Sequence, residues 1–231
     1  GDHQDLPSFP PRRSPDLFEP LERYLRERGV RFAKGTAARS IAREAGAGWR
    51  VEVATEGDVS HAELGLERDP RTGSLHARGD AVVVAATVPA LRSIVGASPH
   101  LAPIAPSVQS LDVTLPFAVW RMWLDRACRA DRAPFAGTAG LGILDNISLY
   151  ERFEGESRRW AERTGGSVVE LHAYAVPEGM SEPEIRADLE RGMHEAYPET
   201  RGARVIEERF LLRRDCPSFR PGSHARRPGV E

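Results

Sequence analysis

An uninterrupted apolar run, Ala81 to Ala86, stands out in the hydrophobic pattern of the chain. The run is too short for a free-standing helix and too uniformly apolar for a half-exposed strand, so it predicts a strand buried on both faces. Thr87 is suited to cap a following helix, and Pro89 falls in its first turn, where a missing N–H is tolerated. The pattern over 79–95 therefore predicts a strand–turn–helix unit, whose turn is the usual ligand-binding end of an open α/β sheet.

The residues before this unit carry shorter patterns. Apolar positions at helical spacing predict a helix from about Leu21 to Gly29, after an irregular, proline-rich lead-in at 1–16. Alternating positions then predict a short strand and a hairpin, and weak alternation over 57–80 predicts a meander with a turn at 69–73. The strands predicted before the meander are Val30–Phe32, Ala38–Ile41 and Trp49–Ala54.

Strands dominate the pattern after a proline-punctuated segment near residue 99. A helix from about Glu182 to Ala196 separates the last two strands, and a charged helix or loop fills 151–165. This order predicts an α+β fold, with a mostly antiparallel sheet and helices packed on one face. The predicted strands are Val113–Leu124, Leu141–Tyr150, Ser167–Val176 and Val205–Leu212.

Composition narrows the class of protein without identifying a partner. The 32 basic and 34 acidic residues of the 231 give a net charge of −2, which offers no electrostatic argument for nucleic acid. Cys128 and Cys216 lie far apart and form no metal-type pair, so a reduced cytoplasmic interior is expected. No apolar run approaches the roughly 18 residues that span a bilayer, and no signal peptide opens the chain. We therefore expect a cytoplasmic protein, soluble or peripheral to the membrane.

The sequence contains no self-sufficient catalytic constellation. The glycine run at 137–142 has the spacing G-x-x-G-x-G and precedes a strand, which favours a connector over a phosphate-binding loop. The seven histidines show no spacing typical of a metal site, and no G-x-S-x-G elbow occurs, so we predict no metal and name no catalytic residue. If the protein is an enzyme, a cofactor supplies the chemistry.

Several aromatic residues and one histidine are candidates for substrate contact. Phe117, Trp120 and Trp123, which fall on one predicted strand, could line an apolar cavity together with Phe135, although the sequence favours ordinary sheet core. His172 alternates with apolar neighbours on another strand, where a hydrogen-bonded sheet residue is the simpler interpretation.

The order of elements in the first half resembles the FAD-dependent amine oxidase and phytoene desaturase superfamily. The resemblance covers residues 17–95 and rests on the segments 35–41, 49–53 and 79–85 in that order. In the superfamily, a strand like 35–41 passes the adenine of FAD, and one like 79–85 ends near the flavin. The resemblance therefore implies FAD as cofactor, with Ala38 at the adenine contact and with Ala86 and Thr87 approaching the flavin.

Segments of the second half look like the carotenoid desaturase branch, typified by the bacterial isorenieratene synthases. These segments are 120–125, 144–152, 169–175 and 215–222. Enzymes of that branch desaturate a β-ionone ring and shift a methyl group. The resemblance implies a lead-in (1–16), a partial FAD-binding domain (17–98), a substrate domain (99–215) and a return segment (216–231).

The resemblance has one marked departure, since the superfamily holds FAD with G-x-G-x-x-G and Gly-Asp motifs that this sequence lacks. We expect an internal piece of a flavin-dependent oxidoreductase that binds FAD incompletely and, in the complete protein, desaturates an apolar polyene. Phe117, Trp120, Trp123 and His172 are its predicted substrate-binding residues. The alternatives are an amine or amino-acid oxidase and a non-catalytic ligand-binding module. A lipid-soluble substrate would also suit peripheral membrane contact, and the sequence leaves the oligomeric state open.

Overall fold

The computed structural model describes residues 13–44, 46, 48–55 and 64–229, which fall into two compact units. The first unit comprises the described residues up to Val83 together with Ser93–Ala102, and the second comprises Val84–Arg92 and the residues from Pro103 onward.

The first unit is built on a small antiparallel sheet. Helix α1 (Arg13–Arg26) precedes the strands, and helix α2 (Val88–Gly96) ends within this unit. The Ile41 N–H donates to Ser98 Oγ at 2.8 Å, and that hydroxyl donates to the Ile94 carbonyl, so the end of α2 is tied to the sheet. The sheet order is β1-β2-β4-β3, with β1 (Thr36–Arg43), β2 (Trp49–Thr55), β3 (Glu67–Arg68) and β4 (Leu75–Gly79).

The buried strand predicted at 81–86 is wrong. Residues 81–87 have no regular secondary structure, and the Val83 side chain is 92% exposed. A strand that is apolar on both faces needs neighbouring strands for its backbone groups and packing on each face. No strand of the described residues pairs with this run. The helix predicted after it is confirmed as α2, which has Pro89 in its first turn.

Three further differences in the first unit have local causes or fall partly outside the described residues. Helix α1 begins at Arg13 and contains Pro20, so it starts inside the predicted lead-in, whereas residues 1–12 lie outside the described residues. Val30–Phe32 is not a strand. Gly29 adopts a φ of +86°, and the Val30 N–H donates to the Leu25 carbonyl, which ends α1 and its following turn.

The predicted hairpin is confirmed as β1 and β2. Part of the predicted meander, 57–63, also lies outside the described residues, and β3 and β4 follow it.

The second unit is built on a five-stranded antiparallel sheet in the order β10-β6-β9-β8-β7. Helix α5 (Glu182–Ala196) packs on one face of the sheet, and its capping box begins at Ser181. Helix α4 (Gly155–Thr164) packs beside β9. The strands of the sheet are β6 (Phe117–Leu124), β7 (Phe135–Gly137), β8 (Asn146–Leu149), β9 (Ser167–Ala173) and β10 (Val205–Arg213).

Short elements complete the second unit. Helix α3 (Ala105–Gln109) leads to β5 (Asp112–Val113), which pairs with β11 (Pro217–Ser218). Pro116 separates β5 from β6, so the strand predicted at 113–124 is divided in two. The prediction of a mostly antiparallel α+β fold is confirmed. Within the described part of the chain, no helix has the length and apolar character needed to cross a membrane.

The glycine run is a tight turn that α5 holds in place. Gly140 and Gly142 have φ values of +75° and +62°, and the Ile143 N–H donates to Asp188 Oδ2 of α5 at 2.7 Å. A Cβ at Gly142 would collide with that carboxylate. The turn explains why the strand predicted from Leu141 begins only at Asn146.

The five-stranded sheet has two different faces because side chains alternate along each strand. The face against α5, which we call the helix face, carries the core. Its main members are Ala118, Trp120, Met122, Leu124, Ile147, Leu149, Val169, Leu171 and Ala173, packed on Ile185, Leu189 and Met193 of α5.

Candidate functional site

The opposite face of the sheet, which we call the polar–aromatic face, gathers ionisable and aromatic side chains. The strand register pairs Val119 of β6 with His172 of β9, and His172 with Asn146 of β8. One step along, the register pairs Arg121 with Glu170 and Glu170 with Ser148. On β6, β8 and β9 the face includes Phe117, Val119, Arg121, Trp123, Asn146, Ser148, Glu170 and His172, with Tyr150 and Tyr174 following β8 and β9.

Glu170 is the centre of a hydrogen-bond network on this face, and it is only 6% exposed. Its Oε2 accepts from Arg121 Nε at 2.6 Å. Its Oε1 accepts from the Tyr150 hydroxyl at 2.9 Å and lies 2.8 Å from His172 Nε2. The Arg121 guanidinium also lies over the Tyr150 ring, 3.7 Å from its centroid. Both carboxylate oxygens are thus occupied by donors.

These donors keep Glu170 ionised although it is buried. Burial by itself raises the pKa of a carboxyl group, but the hydrogen bonds from His172 and Arg121 outweigh it and lower the pKa of Glu170 from 4.5 to about 2. The same arrangement raises the pKa of Tyr150, through burial and its hydrogen bond to Glu170. At neutral pH the face therefore holds a fixed buried negative charge beside the guanidinium of Arg121.

An aromatic wall adjoins the network at the ends of β6 and β9. The Phe117 ring stacks on the Tyr174 ring, with centroids 5.2 Å apart and planes at 11°. The edge of His172 meets Phe117 at 5.7 Å. The Tyr174 hydroxyl lies 3.2 Å from His172 Nδ1 and accepts from Asn146 Nδ2 at 2.7 Å. Tyr174 is half exposed, so this wall offers solvent-accessible aromatic surface directly above polar groups.

The structure brings three of the four predicted substrate-binding residues to one face. Phe117, Trp123 and His172 lie on the polar–aromatic face. Trp120 lies on the helix face, buried in the core, with its Nε1–H donated to Glu208 at 2.8 Å. Substrate contact by any of the four stays a prediction, and for Trp120 the position in the core favours a packing role.

The predicted cofactor residues lie on exposed backbone. Ala38 is exposed on β1, whose register shifts between Ala38 and Ser40, so the ladder leaves out one residue there. Ala86 and Thr87 are exposed in the extended segment before α2. Small exposed residues of this kind fit contacts through the backbone with a flat ligand such as adenine.

The aromatic and histidine patterns did not identify Arg121, Glu170, Tyr150 or Tyr174. A signal for two of them was present, because Glu170, His172 and Tyr174 alternate with apolar residues along β9. Arg121 and Tyr150 join them only through strand pairing, which local spacing does not reveal. Over the part of the chain that the structure describes, no three histidine, cysteine or acidic side chains are grouped to hold a metal ion.

Two curated relatives match this chain, and no family model does. The chain is 41% identical over 216 residues to a protein named carotenoid phi-ring synthase from Streptomyces griseus, covering 93% of this chain and 38% of that protein. It is 40% identical over 155 residues to a protein of the same name from Chlorobaculum tepidum, covering 66% of this chain and 24% of the relative. The chain thus spans well under half the length of the relatives it matches.

Among solved structures, the fold is similar to a crystal structure of reduced UDP-galactopyranose mutase. The TM-score is 0.57 at 7% sequence identity, over 86% of this chain and 38% of that one, which shows a shared fold alone. The sequence relatives confirm the resemblance to the carotenoid branch of the superfamily, and the solved structure adds a shared fold.

Proposed function

We propose that this chain, a relative of the carotenoid phi-ring synthases, supplies the substrate-binding part of an FAD-dependent oxidoreductase that desaturates a carotenoid. The observation that carries the proposal is the 41% identity over 93% of the chain. Since the chain spans 38% of that relative, the reaction is proposed for the complete protein in which this sequence occurs.

The contribution of this chain is a rigid, partly apolar surface for the substrate. Phe117, Val119 and Tyr174 present apolar area on which a polyene gains dispersion contacts. The network beneath them is hydrogen-bonded at Arg121, Tyr150 and His172 through Glu170, so the wall has few alternative arrangements. A fixed surface of this kind can hold one C–H bond in the orientation that reaction requires.

FAD, when bound, would supply the acceptor for a hydride taken from the substrate. We propose that Ala38, Ala86 and Thr87 provide backbone contacts at the edge of the cofactor, because all three are exposed and small. A Thr87→Pro change in the complete protein tests this without an activity assay. We expect it to weaken FAD binding measured by flavin fluorescence. The control is Glu178→Pro, at the second residue of an exposed turn in the second unit where proline fits, and it should leave binding unaltered.

The substrate proposal is tested in a bacterium that makes carotenoids with β-ionone rings. We expect expression of the complete protein to convert these carotenoids into products with more double bonds, separated by liquid chromatography and identified by mass. Unchanged carotenoids together with turnover of an amine by the purified flavoprotein would favour the amine oxidase alternative.

The role of the aromatic wall is tested by Phe117→Ala. Loss of one stacked ring removes about 0.5–1.5 kcal/mol of contact energy. The dissociation constant for the carotenoid should therefore rise roughly 2- to 10-fold. The matched control is Phe18→Ala, which removes an exposed ring from α1. Equal affinity of the Phe117→Ala and wild-type proteins would contradict the assignment of the substrate to this face.

A further inference from the structure

Hydrogen bonds on the polar–aromatic face join three side chains, Tyr174, His172 and Glu170, and Asn146 donates to the first of them. These bonds run in one direction when a neutral His172 carries its proton on Nε2. Asn146 Nδ2 donates to the Tyr174 oxygen, which leaves the Tyr174 O–H to donate to His172 Nδ1. His172 Nε2 then carries its proton toward Glu170 Oε1, which as an ionised carboxylate can only accept. The chain of bonds therefore begins at a half-exposed hydroxyl and ends at a buried negative charge.

This order of groups is the arrangement in which a histidine serves as a base. A neutral imidazole accepts a proton at one nitrogen while a carboxylate holds the other N–H and stabilises the cation that forms. Here Nδ1 faces the hydroxyl, and Glu170 holds Nε2 at 2.8 Å. Arg121 and Tyr150 fix the carboxylate from the other side, so Glu170 cannot turn away from His172.

Desaturation needs such an acceptor, because it removes two hydrogens in different forms. FAD, when bound, would accept one hydrogen as a hydride, with the electron pair of its C–H bond. The adjacent carbon loses a proton, and the electron pair of that C–H bond becomes the new π bond. An apolar polyene has no group that can hold this proton, so a base beside the substrate favours its loss, and a protein side chain can be that base.

We propose that Tyr174, His172 and Glu170 form a relay that accepts this proton at the Tyr174 hydroxyl, an inference that rests on the function proposed above. The Tyr174 oxygen takes the proton from the substrate carbon as its own hydroxyl proton passes to His172 Nδ1. The step ends with a neutral tyrosine and a His172 imidazolium paired with the Glu170 carboxylate. Tyr174 and His172 are the catalytic residues, and Glu170 is a positioning residue.

The tautomer of His172 tests the relay independently of turnover. In the complete protein with ¹⁵N-labelled histidine, we expect neutral His172 to carry its proton on Nε2 and to have a bare Nδ1, with the signal assigned by its loss in His172→Gln. Tyr174→Phe should shift the Nδ1 resonance, and Tyr24→Phe should not. A neutral ring protonated at Nδ1 would overturn the relay, because that nitrogen could not accept from Tyr174.

Kinetics of the complete protein test the chemical role. General-base catalysis contributes roughly 10²- to 10⁴-fold, so we expect Tyr174→Phe to lower kcat by about 10²-fold or more. The carotenoid KM should change little, because the ring that stacks on Phe117 remains. The control is Tyr24→Phe, whose tyrosine is 51% exposed against 50% for Tyr174 but lies on α1 in the first unit.

A double variant separates a relay from two independent contributions. Members of one relay act as a unit, so Tyr174→Phe combined with His172→Gln should lower kcat no further than the worse single change. Multiplication of the two effects, or wild-type kcat in Tyr174→Phe, would overturn the relay while leaving the proposed function standing. Failure of the wild-type protein to desaturate any carotenoid would overturn the proposed function, and the chemical role of the relay with it.

Discussion

On the helix face of the five-stranded sheet lie apolar side chains pressed against α5, whereas the same strands carry an ionised glutamate, a histidine and stacked aromatic rings on the polar–aromatic face. Leu171 and Glu170 are neighbours in sequence, yet one contributes to the core and the other centres a hydrogen-bond network. Alternate residues of a strand point to opposite faces. The same strand can therefore contribute to the core with one set of residues and to a candidate site with the other.

The largest effect is expected on the helix face. Leu171→Ala removes a fully buried side chain and should lower the free energy of unfolding by about 2–5 kcal/mol. Its control, Val119→Ala, removes less volume from a half-buried position on the other face and should destabilise by under ~1.5 kcal/mol. Chemical denaturation of both variants measures the two losses of stability. Similar losses would show that the helix face does not contribute more to stability than the polar–aromatic face.

The next effect concerns the buried charge. The folded-state pKa of Glu170 lies near 2 against an ordinary 4.5, so its ionised form stabilises the folded state above pH 4.5. That stabilisation, about 3 kcal/mol for a shift of this size, is lost as the pH falls from 4.5 toward 2, where the folded protein also protonates the group.

Glu170→Gln isolates this contribution from the other carboxylates of the chain. We expect the variant to be less stable than the wild type at pH 7, and the difference to shrink steadily below pH 4.5. Thermal unfolding measured between pH 7 and pH 3 follows it. A difference independent of pH would show that the ionised state of Glu170 is not what stabilises the network.

The smallest effect is expected for Trp120→Phe. The change removes the Nε1–H that donates to Glu208 but keeps an aromatic ring in the core, so the free energy of unfolding should fall by only about 1 kcal/mol. Carotenoid affinity of the complete protein should stay at the wild-type value, because the ring lies on the helix face. A weaker carotenoid affinity at unchanged stability would contradict our assignment of the substrate contacts to the polar–aromatic face.

Sequence patterns predicted the large sheet well because its strands alternate strongly. The sequence predicts a strand over Ser167–Val176, and β9 covers its first seven residues, with Glu170 and His172 on one face and Leu171 on the other. Helix α5 matches its predicted bounds, since apolar positions recur every four residues and a capping box starts it. Local periodicity is sufficient where an element carries its own amphipathic pattern.

Predictions that depend on pairing between distant segments were less successful. The run at 81–86 is apolar throughout, unlike β9, but it has no partner strand among the described residues, and a strand exists only through its ladder. The candidate site was found in part for the same reason. His172 and Phe117 were recognised as individual residues, but their meeting with Arg121, Tyr150 and Tyr174 depends on the register of β6, β8 and β9.

The exposed run at 81–86 also bears on how this chain behaves at high concentration. Six consecutive apolar residues without charge or proline, in an extended segment outside any ladder, have the composition of sequences that stack into intermolecular β-sheets. Because Val83 is almost fully accessible, a lysine there should keep the fold and reduce self-association measured by light scattering. The segment that the hydrophobic pattern placed at the centre of a sheet is thus exposed in a form that favours pairing with another copy of the chain.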